Sequence, residues 1–200
     1  MMIDEIIKRE WDFFQKVNNI GGRASCQDDF ETFYLQRKGQ FEVFYQNVNE
    51  SYLQDLKDAL KVGRNLVMEK YAYMMEYTDY DYFVTIKDQL PPILEDQRQL
   101  IDTICQIEVD MREEFNQLYP NLSALARYTH SQQDEKDETS FETYLRGELS
   151  TYSSQTLWLY GQMIVNMLKQ NQNIVMSIMD KTVKAYGYKS LEEADYYYGK

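Results

Sequence analysis

The sequence is poor in the residues that build turn-rich or disulfide-bonded proteins. It contains only 8 glycines, 3 prolines and 2 cysteines among 200 residues. So few turn-forming residues argue against a β protein, and two cysteines are too few for a disulfide framework. The single histidine, His130, lies in the polar run THSQQDEKDETS, which is poor material for a metal centre. We therefore expect no metal and no other cofactor.

Long apolar segments are also missing. No stretch approaches the roughly 18 apolar residues that a membrane-spanning helix needs. The N-terminal residues, MMIDEIIKREW, are acidic rather than signal-like, so we expect a cytoplasmic protein. The formal net charge is −12, from 33 acidic and 21 basic residues. An acidic surface repels nucleic acids and anionic membranes, so we expect neither as a partner. The oligomeric state stays open.

The chain does show helical periodicity. Apolar residues recur with the period of an α-helix along most of the sequence, and no alternating strand pattern competes with it. A hydrophobic fraction of 44% in 200 residues is enough to bury a sizeable core. We predict an all-α protein with a single helical domain over residues 1–200. Its fold should be an orthogonal or up-down bundle of roughly six to eight helices.

Caps and breaks predict where these helices lie. The predicted helices cover about residues 3–18, 29–47, 51–77, 80–87, 92–118, 141–152, 154–186 and 191–198. Gly63 lies inside the third helix, where it permits a close helix contact or a local kink. Residues 121–139 form the longest irregular stretch, which is either a mobile cover or an ordinary surface crossing.

Four predicted helices each carry one charged residue in the middle of the apolar stripe. These residues are Glu10, Arg37, Lys70 and Glu148. An unpaired ion in a protein core is very costly, so the two acids and two bases must pair or surround a cavity. One interpretation is a set of buried salt bridges that fix helix register, such as Arg37 with Glu148 and Lys70 with Glu10. The other is an internal polar pocket for a small molecule.

The pocket hypothesis assigns roles to these side chains. Glu148, Lys70 and Glu10 are the candidate catalytic residues, because desolvation would raise the pKa of a glutamate and lower that of a lysine toward neutrality. Arg37 is a candidate ligand for a carboxylate or phosphate, since its guanidinium presents a planar fork. The other candidate ligand-binding residues are Arg23, Arg64, Tyr144, Tyr152 and Gln27.

A second candidate site lies in the segment GGRASCQ at residues 21–27, before the second helix. Its two glycines allow unusual backbone dihedrals, and the free N–H groups of the following helix start suit an anion. That helix start and Arg23 would lower the pKa of Cys26, which makes Cys26 a candidate nucleophile. The alternative is that Cys26 packs as a small hydrophobic residue.

Established catalytic motifs are absent from the sequence. It has no phosphate-binding loop, dinucleotide fingerprint or Gly-x-Ser-x-Gly elbow, and no Glu-x-x-His pairs for a di-iron site. The leading hypothesis is a metal-independent acid–base enzyme for a small anionic or polar metabolite. The alternative is a non-catalytic module that binds a ligand or another protein.

Three polar motifs carry a family resemblance. They are GGRASCQ at 21–27, GRNLVMEKYAYMM at 63–75 and SFETYLRGEL at 140–149. With these motifs the chain resembles an uncharacterised family of microbial proteins that is defined only as a domain of unknown function. The resemblance covers about residues 3–155 and implies no established activity.

Overall fold

The computed structural model describes residues 1–18, 22–135 and 138–200. This part of the chain is all-helical, with eleven α-helices and no β-strand. The helices are α1 (Met2–Phe14), α2 (Phe30–Val43), α3 (Gln46–Lys61), α4 (Leu66–Thr78), α5 (Tyr80–Ile86), α6 (Glu95–Leu118), α7 (Pro120–Ala124), α8 (Phe141–Leu149), α9 (Ser154–Lys169), α10 (Ile174–Ala185) and α11 (Leu191–Tyr198). The prediction of an all-α fold is therefore confirmed.

Most helix starts are fixed by a side chain that accepts a hydrogen bond from a backbone N–H of the first turn. The capping residues are Asp29, Asn65, Asp79, Ser140, Ser153, Asn173 and Ser190. These residue types satisfy donors that the helix itself leaves free. The sequence therefore specifies where the helices begin largely through local chemistry.

The prediction of six to eight helices was too low, because two long helical patterns are interrupted and a short helix, α7, lies mostly in the stretch predicted to be irregular. Gly63 does not lie inside a helix; it adopts a left-handed φ of +74° and ends α3. The N–H of Arg64 then bonds to the carbonyl of Ala59 at 2.9 Å, as in a Schellman stop. Asn171, with φ of +53°, similarly separates α9 from α10. Short polar breaks of this kind hardly disturb the apolar periodicity.

Three of the shorter predicted helices are present in the structure. The helices predicted at 80–87, 141–152 and 191–198 are present as α5, α8 and α11. The predicted irregular stretch 121–139 contains most of α7 and a 3₁₀ turn at Ser131–Gln133. The predicted break at 19–22 falls mainly on Asn19, Ile20 and Gly21, which lie outside the described residues.

The helices pack so that α1, α2, α4 and α8 surround one point. Helix α1 contacts α2, α3 and α4, and α4 packs closely on α8. Gly147 makes the second contact possible, because a Cβ atom at this position would lie 2.8 Å from the carbonyl oxygen of Lys70. Within the described ranges, every helix is too short or too polar to cross a lipid bilayer. The packing brings four separate chain segments together in the interior.

Candidate functional site

The four charged residues of the apolar stripes meet in the interior. Glu10 comes from α1, Arg37 from α2, Lys70 from α4 and Glu148 from α8, and we call this group the ionic cluster. Glu10, Lys70 and Glu148 are each less than a tenth exposed. Residues separated by 111 positions are thus brought into contact.

The pairing within the ionic cluster is direct and nearly complete. Arg37 donates from Nε and Nη2 to the two oxygens of Glu10, at 2.7 and 2.5 Å. Its two Nη atoms also reach Glu148, each at 3.2 Å. Lys70 Nζ lies 2.6 Å from Glu148 Oε2. The example pairing of Lys70 with Glu10 was therefore wrong, because Lys70 binds Glu148 and Arg37 links both carboxylates.

Neutral side chains complete this network. Tyr52 donates to Glu10 at 2.7 Å, and Gln40 donates to Glu148 at 2.9 Å while it accepts from Arg37 at 2.6 Å. Tyr152 donates to Glu148 over a longer distance of 3.4 Å. Sequence reasoning missed Gln40 and Tyr52. The detectable signal was position, since Gln40 follows Arg37 by one helical turn and Tyr52 stands on the apolar stripe of α3.

The pKa of Glu148 is lowered, whereas the sequence predicted that burial would raise it. Burial alone would raise the pKa of this carboxyl, as predicted, but Arg37 and Lys70 together outweigh burial and hold the pKa well below its ordinary value. Arg37 likewise gains more from Glu10 and Glu148 than it loses by burial, so its pKa is raised. At neutral pH Glu148 is a carboxylate and has no proton to donate.

A small cavity adjoins the ionic cluster. It has a volume of about 40 Å³ and is lined by Glu10, Arg37, Lys70, Tyr144 and Glu148 together with Phe14, Phe33, Tyr52, Leu66, Val67, Tyr71 and Thr151. A water molecule occupies about 30 Å³ in the liquid. The cavity therefore accommodates about one water, so a larger molecule would have to bind at its mouth.

Tyr144 lines this cavity, is partly exposed and has two cations beside its ring. Lys70 Nζ lies 3.4 Å from the centre of the Tyr144 ring, and the guanidinium carbon of Arg127 lies 4.8 Å from it. The charge of Lys70 outweighs burial and lowers the pKa of Tyr144. Tyr71 lies beside it, and burial together with the charges of Tyr144 and Cys26 raises the pKa of Tyr71. Two neighbouring phenols therefore have opposite tendencies to ionise.

Two predicted ligand-binding residues lie away from the ionic cluster. Gln27 is fully buried, and its amide donates to the carbonyls of Phe14 and Val17 at the end of α1. Arg23 is exposed and donates to the side chain of Asp28 and to the backbone oxygen of Gln27. Both residues fasten the segment before α2 to α1. The side-chain N–H groups named here are bonded within the protein and do not point to a ligand in the cavity beside the ionic cluster.

Cys26, the start of α2 and Arg64, which were also predicted to belong to a site, do not lie in one place. Cys26 is exposed rather than packed in the core. The helix start beside it is occupied, since Asp29 accepts from the N–H of Thr32 at 3.0 Å. Arg64 binds Glu69 through Nε and Nη2, at 2.8 and 2.6 Å, and lies at a different groove of the protein. An anion site at the start of α2 thus competes with a capping carboxylate.

A further buried carboxyl was not predicted. Glu108 of α6 is 3% exposed and accepts a hydrogen bond of 2.8 Å from Tyr160 of α9. Burial raises its pKa to about 8, against a smaller lowering by Tyr160. Glu108 stands between Ile104 and Phe115 on the apolar stripe of α6, the same signal that identified the ionic cluster. The sequence therefore contained the information that reveals Glu108.

The described residues contain no cluster of metal ligands, and the chain matches one family of proteins. Across residues 1–18, 22–135 and 138–200, no three histidine, cysteine, aspartate or glutamate side chains are grouped as a metal site requires. No curated protein and no solved structure matches the chain. One family model matches residues 1–196, and it is described as a protein of unknown function, DUF4125. The chain therefore belongs to the DUF4125 family of proteins of unknown function.

Proposed function

We propose that the protein is a metal-independent acid–base enzyme whose small anionic or polar substrate binds at the mouth of the ionic cluster. The observation that supports this most directly is the position of Tyr144, whose ring lies beside both Lys70 and Arg127 and whose pKa is lowered. Perturbed pKa values at a cleft are typical of catalytic groups. The two cations would also attract a negatively charged substrate.

The proposed proton transfer uses Tyr144 as the base. Its phenolate oxygen accepts a proton from a C–H or O–H group of the substrate, and the phenol later returns that proton. Lys70 and Arg127 stabilise the negative charge, first on the phenolate and then on the deprotonated substrate. One proton moves from the substrate to Tyr144 and back, and no electrons are gained or lost overall. Neither an oxidant nor a metal is required.

The ionic cluster then has a supporting role. Glu148 is ionised and has a lowered pKa, which makes it a poor general acid and a weak base at neutral pH. In this proposal Glu148 holds Lys70 against the Tyr144 ring, and Arg37, which is itself held by Glu10, holds Glu148. These residues are positioning residues, and Tyr144 with Lys70 replaces the initial assignment of Glu148 and Glu10 to proton transfer.

A non-catalytic module remains the second candidate, and one observation favours it. The fork of Arg37 is fully engaged by Glu10, and the adjoining cavity has room for about one water. Four buried ions with their partners already in place need no ligand to be satisfied. In that case the ionic cluster fixes the register of α1, α2, α4 and α8, and function lies elsewhere on the surface.

A tyrosine titration tests the first part of the proposal. Ultraviolet absorbance of tyrosinate, followed against pH, should show one phenol that ionises before the bulk of the 18 tyrosines. Tyr144→Phe should remove this early step. Tyr186→Phe, which changes an exposed tyrosine, is the matched control and should leave the step in place. An early step that survives Tyr144→Phe would contradict the assignment.

Solvent exchange tests catalysis itself. Mixtures of small carboxylates and phosphate esters are incubated with the protein in deuterated water and examined by proton NMR for exchange or conversion. The proposal predicts at least one compound that loses a proton signal with the wild type and with Tyr186→Phe, but not with Tyr144→Phe. A wild-type protein that exchanges and converts none of them would favour the non-catalytic module.

A further inference from the structure

A second cavity opens on the side of the molecule where α3, α4, α6 and the α8–α9 connection meet. Its volume is about 470 Å³, within the range of small-molecule sites, and we call it the groove. Leu66 and Thr151 line both the groove and the small cavity of the ionic cluster. The groove is therefore a neighbour of the ionic cluster and a separate space.

The walls of the groove divide into an apolar floor and a polar rim. Leu66, Ile101 and Leu157 on the floor are almost fully buried. The rim carries Asp55, Gln97 and the hydroxyl groups of the connection between α8 and α9, where Gln97 donates to Ser154 at 3.0 Å. Such a surface suits a ligand with an apolar body and one or two polar groups.

One carboxylate of the groove, Asp55, has no direct ion pair in the described part of the chain. Arg64 donates hydrogen bonds from Nε and Nη2 to the carboxylate of Glu69. Asp58 accepts a hydrogen bond of 2.7 Å from Lys61. Among the residues that the structure describes, Asp55 forms no ion pair within 4.0 Å; it accepts a hydrogen bond from the N–H of Ser153 at 3.0 Å, and Arg64, which lines the same groove, acts on it only from a longer distance. Asp55 is half-buried. A half-buried carboxylate without a direct ion pair is stabilised by a cation that reaches it.

We propose that the groove binds a small organic cation, with an ammonium group on Asp55 and an apolar body on the floor formed by Leu66, Ile101 and Leu157. Tyr73, whose ring lines the same groove, adds an aromatic surface suited to a cation. The net charge of −12 further favours a positively charged ligand over a negative one. This inference concerns a different site from Tyr144 and does not depend on the proposed acid–base function.

Calorimetric titration with hexylamine tests the inference, with hexanoate as the oppositely charged probe of the same length. Wild-type protein should bind hexylamine and not hexanoate, and added salt should weaken the binding. Asp55→Asn keeps the shape of the side chain and removes its charge, so it should weaken hexylamine binding by about tenfold or more. Glu50→Gln, which removes one exposed negative charge of the same helix outside the groove, is the matched control and should bind as the wild type does.

Three outcomes would overturn the inference: no saturable binding of hexylamine, equal binding of hexanoate, or unchanged affinity in Asp55→Asn. Because Asp55 accepts from the start of α9, the variant is first checked for cooperative unfolding. If it does not fold, amide chemical shifts of the wild type decide the question. Shifts induced by hexylamine should then lie at residues 150–154 and Gln97, and shifts confined to Tyr71 and Tyr144 would reject the groove.

Discussion

At the scale of single residues, the ionic cluster shows why a buried ion pair depends on both of its members. Glu148 is the shared acceptor of Arg37 and Lys70, so its loss leaves Lys70 buried without a counter-ion. We expect Glu148→Gln to lower the free energy of unfolding by about 3–5 kcal/mol. Urea denaturation followed by circular dichroism measures the change. Glu31→Gln, at an exposed position of α2, should stay within about 0.5 kcal/mol.

A double variant separates the loss of packing from the loss of charge balance. Lys70→Met removes the cation that Glu148→Gln would leave unpaired, while Arg37 keeps Glu10. The combined variant should therefore be destabilised by less than the sum of the two single variants. Strict additivity would mean that Lys70 and Glu148 do not interact in solution.

Residue positions on a helical wheel predicted the members of the ionic cluster, and it is clear why the partners were missed. A charged residue inside an apolar stripe has to be buried, so Glu10, Arg37, Lys70 and Glu148 were identifiable. Which acid meets which base depends on the three-dimensional packing of α4 on α8. That information is not local in the sequence. The same limitation explains why Tyr144 was named as a ligand-binding residue and its position against Lys70 was not foreseen.

At the scale of helices, the contact between α4 and α8 determines the geometry of the candidate site. Gly147 lies at this contact, and a Cβ atom there would come within 2.8 Å of the Lys70 carbonyl oxygen and 2.5 Å of Met74 Cγ. Gly147→Ala should push the helices apart and reduce the free energy of unfolding by about 1–3 kcal/mol. It should also shift the early step of the tyrosine titration, because Lys70 would move relative to Tyr144.

The matched control for this contact is Gly161 in α9. An added Cβ atom there would meet only side-chain atoms, the nearest being Ile104 Cδ1 at 3.3 Å. Alanine is favoured over glycine in a helix interior by about 1 kcal/mol, so Gly161→Ala should be close to neutral in urea denaturation. If both variants lose the same stability, close approach of α4 and α8 is not the cause.

The helices also show which features of the fold can be predicted from sequence. Caps such as Asp29 and Ser140 act through local hydrogen bonds, and their helices were placed within a few residues. The break at Gly63 was missed because Leu56 and Val67 continue the apolar period across it. Leu60 follows Leu56 by one helical turn on this period, yet it is half exposed. Periodicity therefore finds helical segments well and short interruptions poorly.

At the scale of the whole molecule, two buried carboxyls act on stability in opposite directions. Glu148 has a lowered pKa in the folded protein, so it stabilises the fold above the unfolded pKa of about 4.3 and loses this contribution as the pH falls. Glu108 has a raised pKa of about 8. Its contribution is complete below the unfolded pKa and is lost as the pH rises toward 8.

These two effects predict that the protein is most stable in mildly acidic solution. The free energy of unfolding, measured in urea, should be higher at about pH 5.5 than at about pH 8, by on the order of a few kcal/mol. The net charge of −12 acts in the same direction, because its self-repulsion weakens as carboxylates are protonated. Glu108→Gln decides whether Glu108 is the principal cause. Glutamine stays neutral and can still accept from Tyr160, so the stability of this variant should fall much less than that of the wild type between about pH 5.5 and pH 8. An equal decline in both proteins would assign the effect to the surface charge.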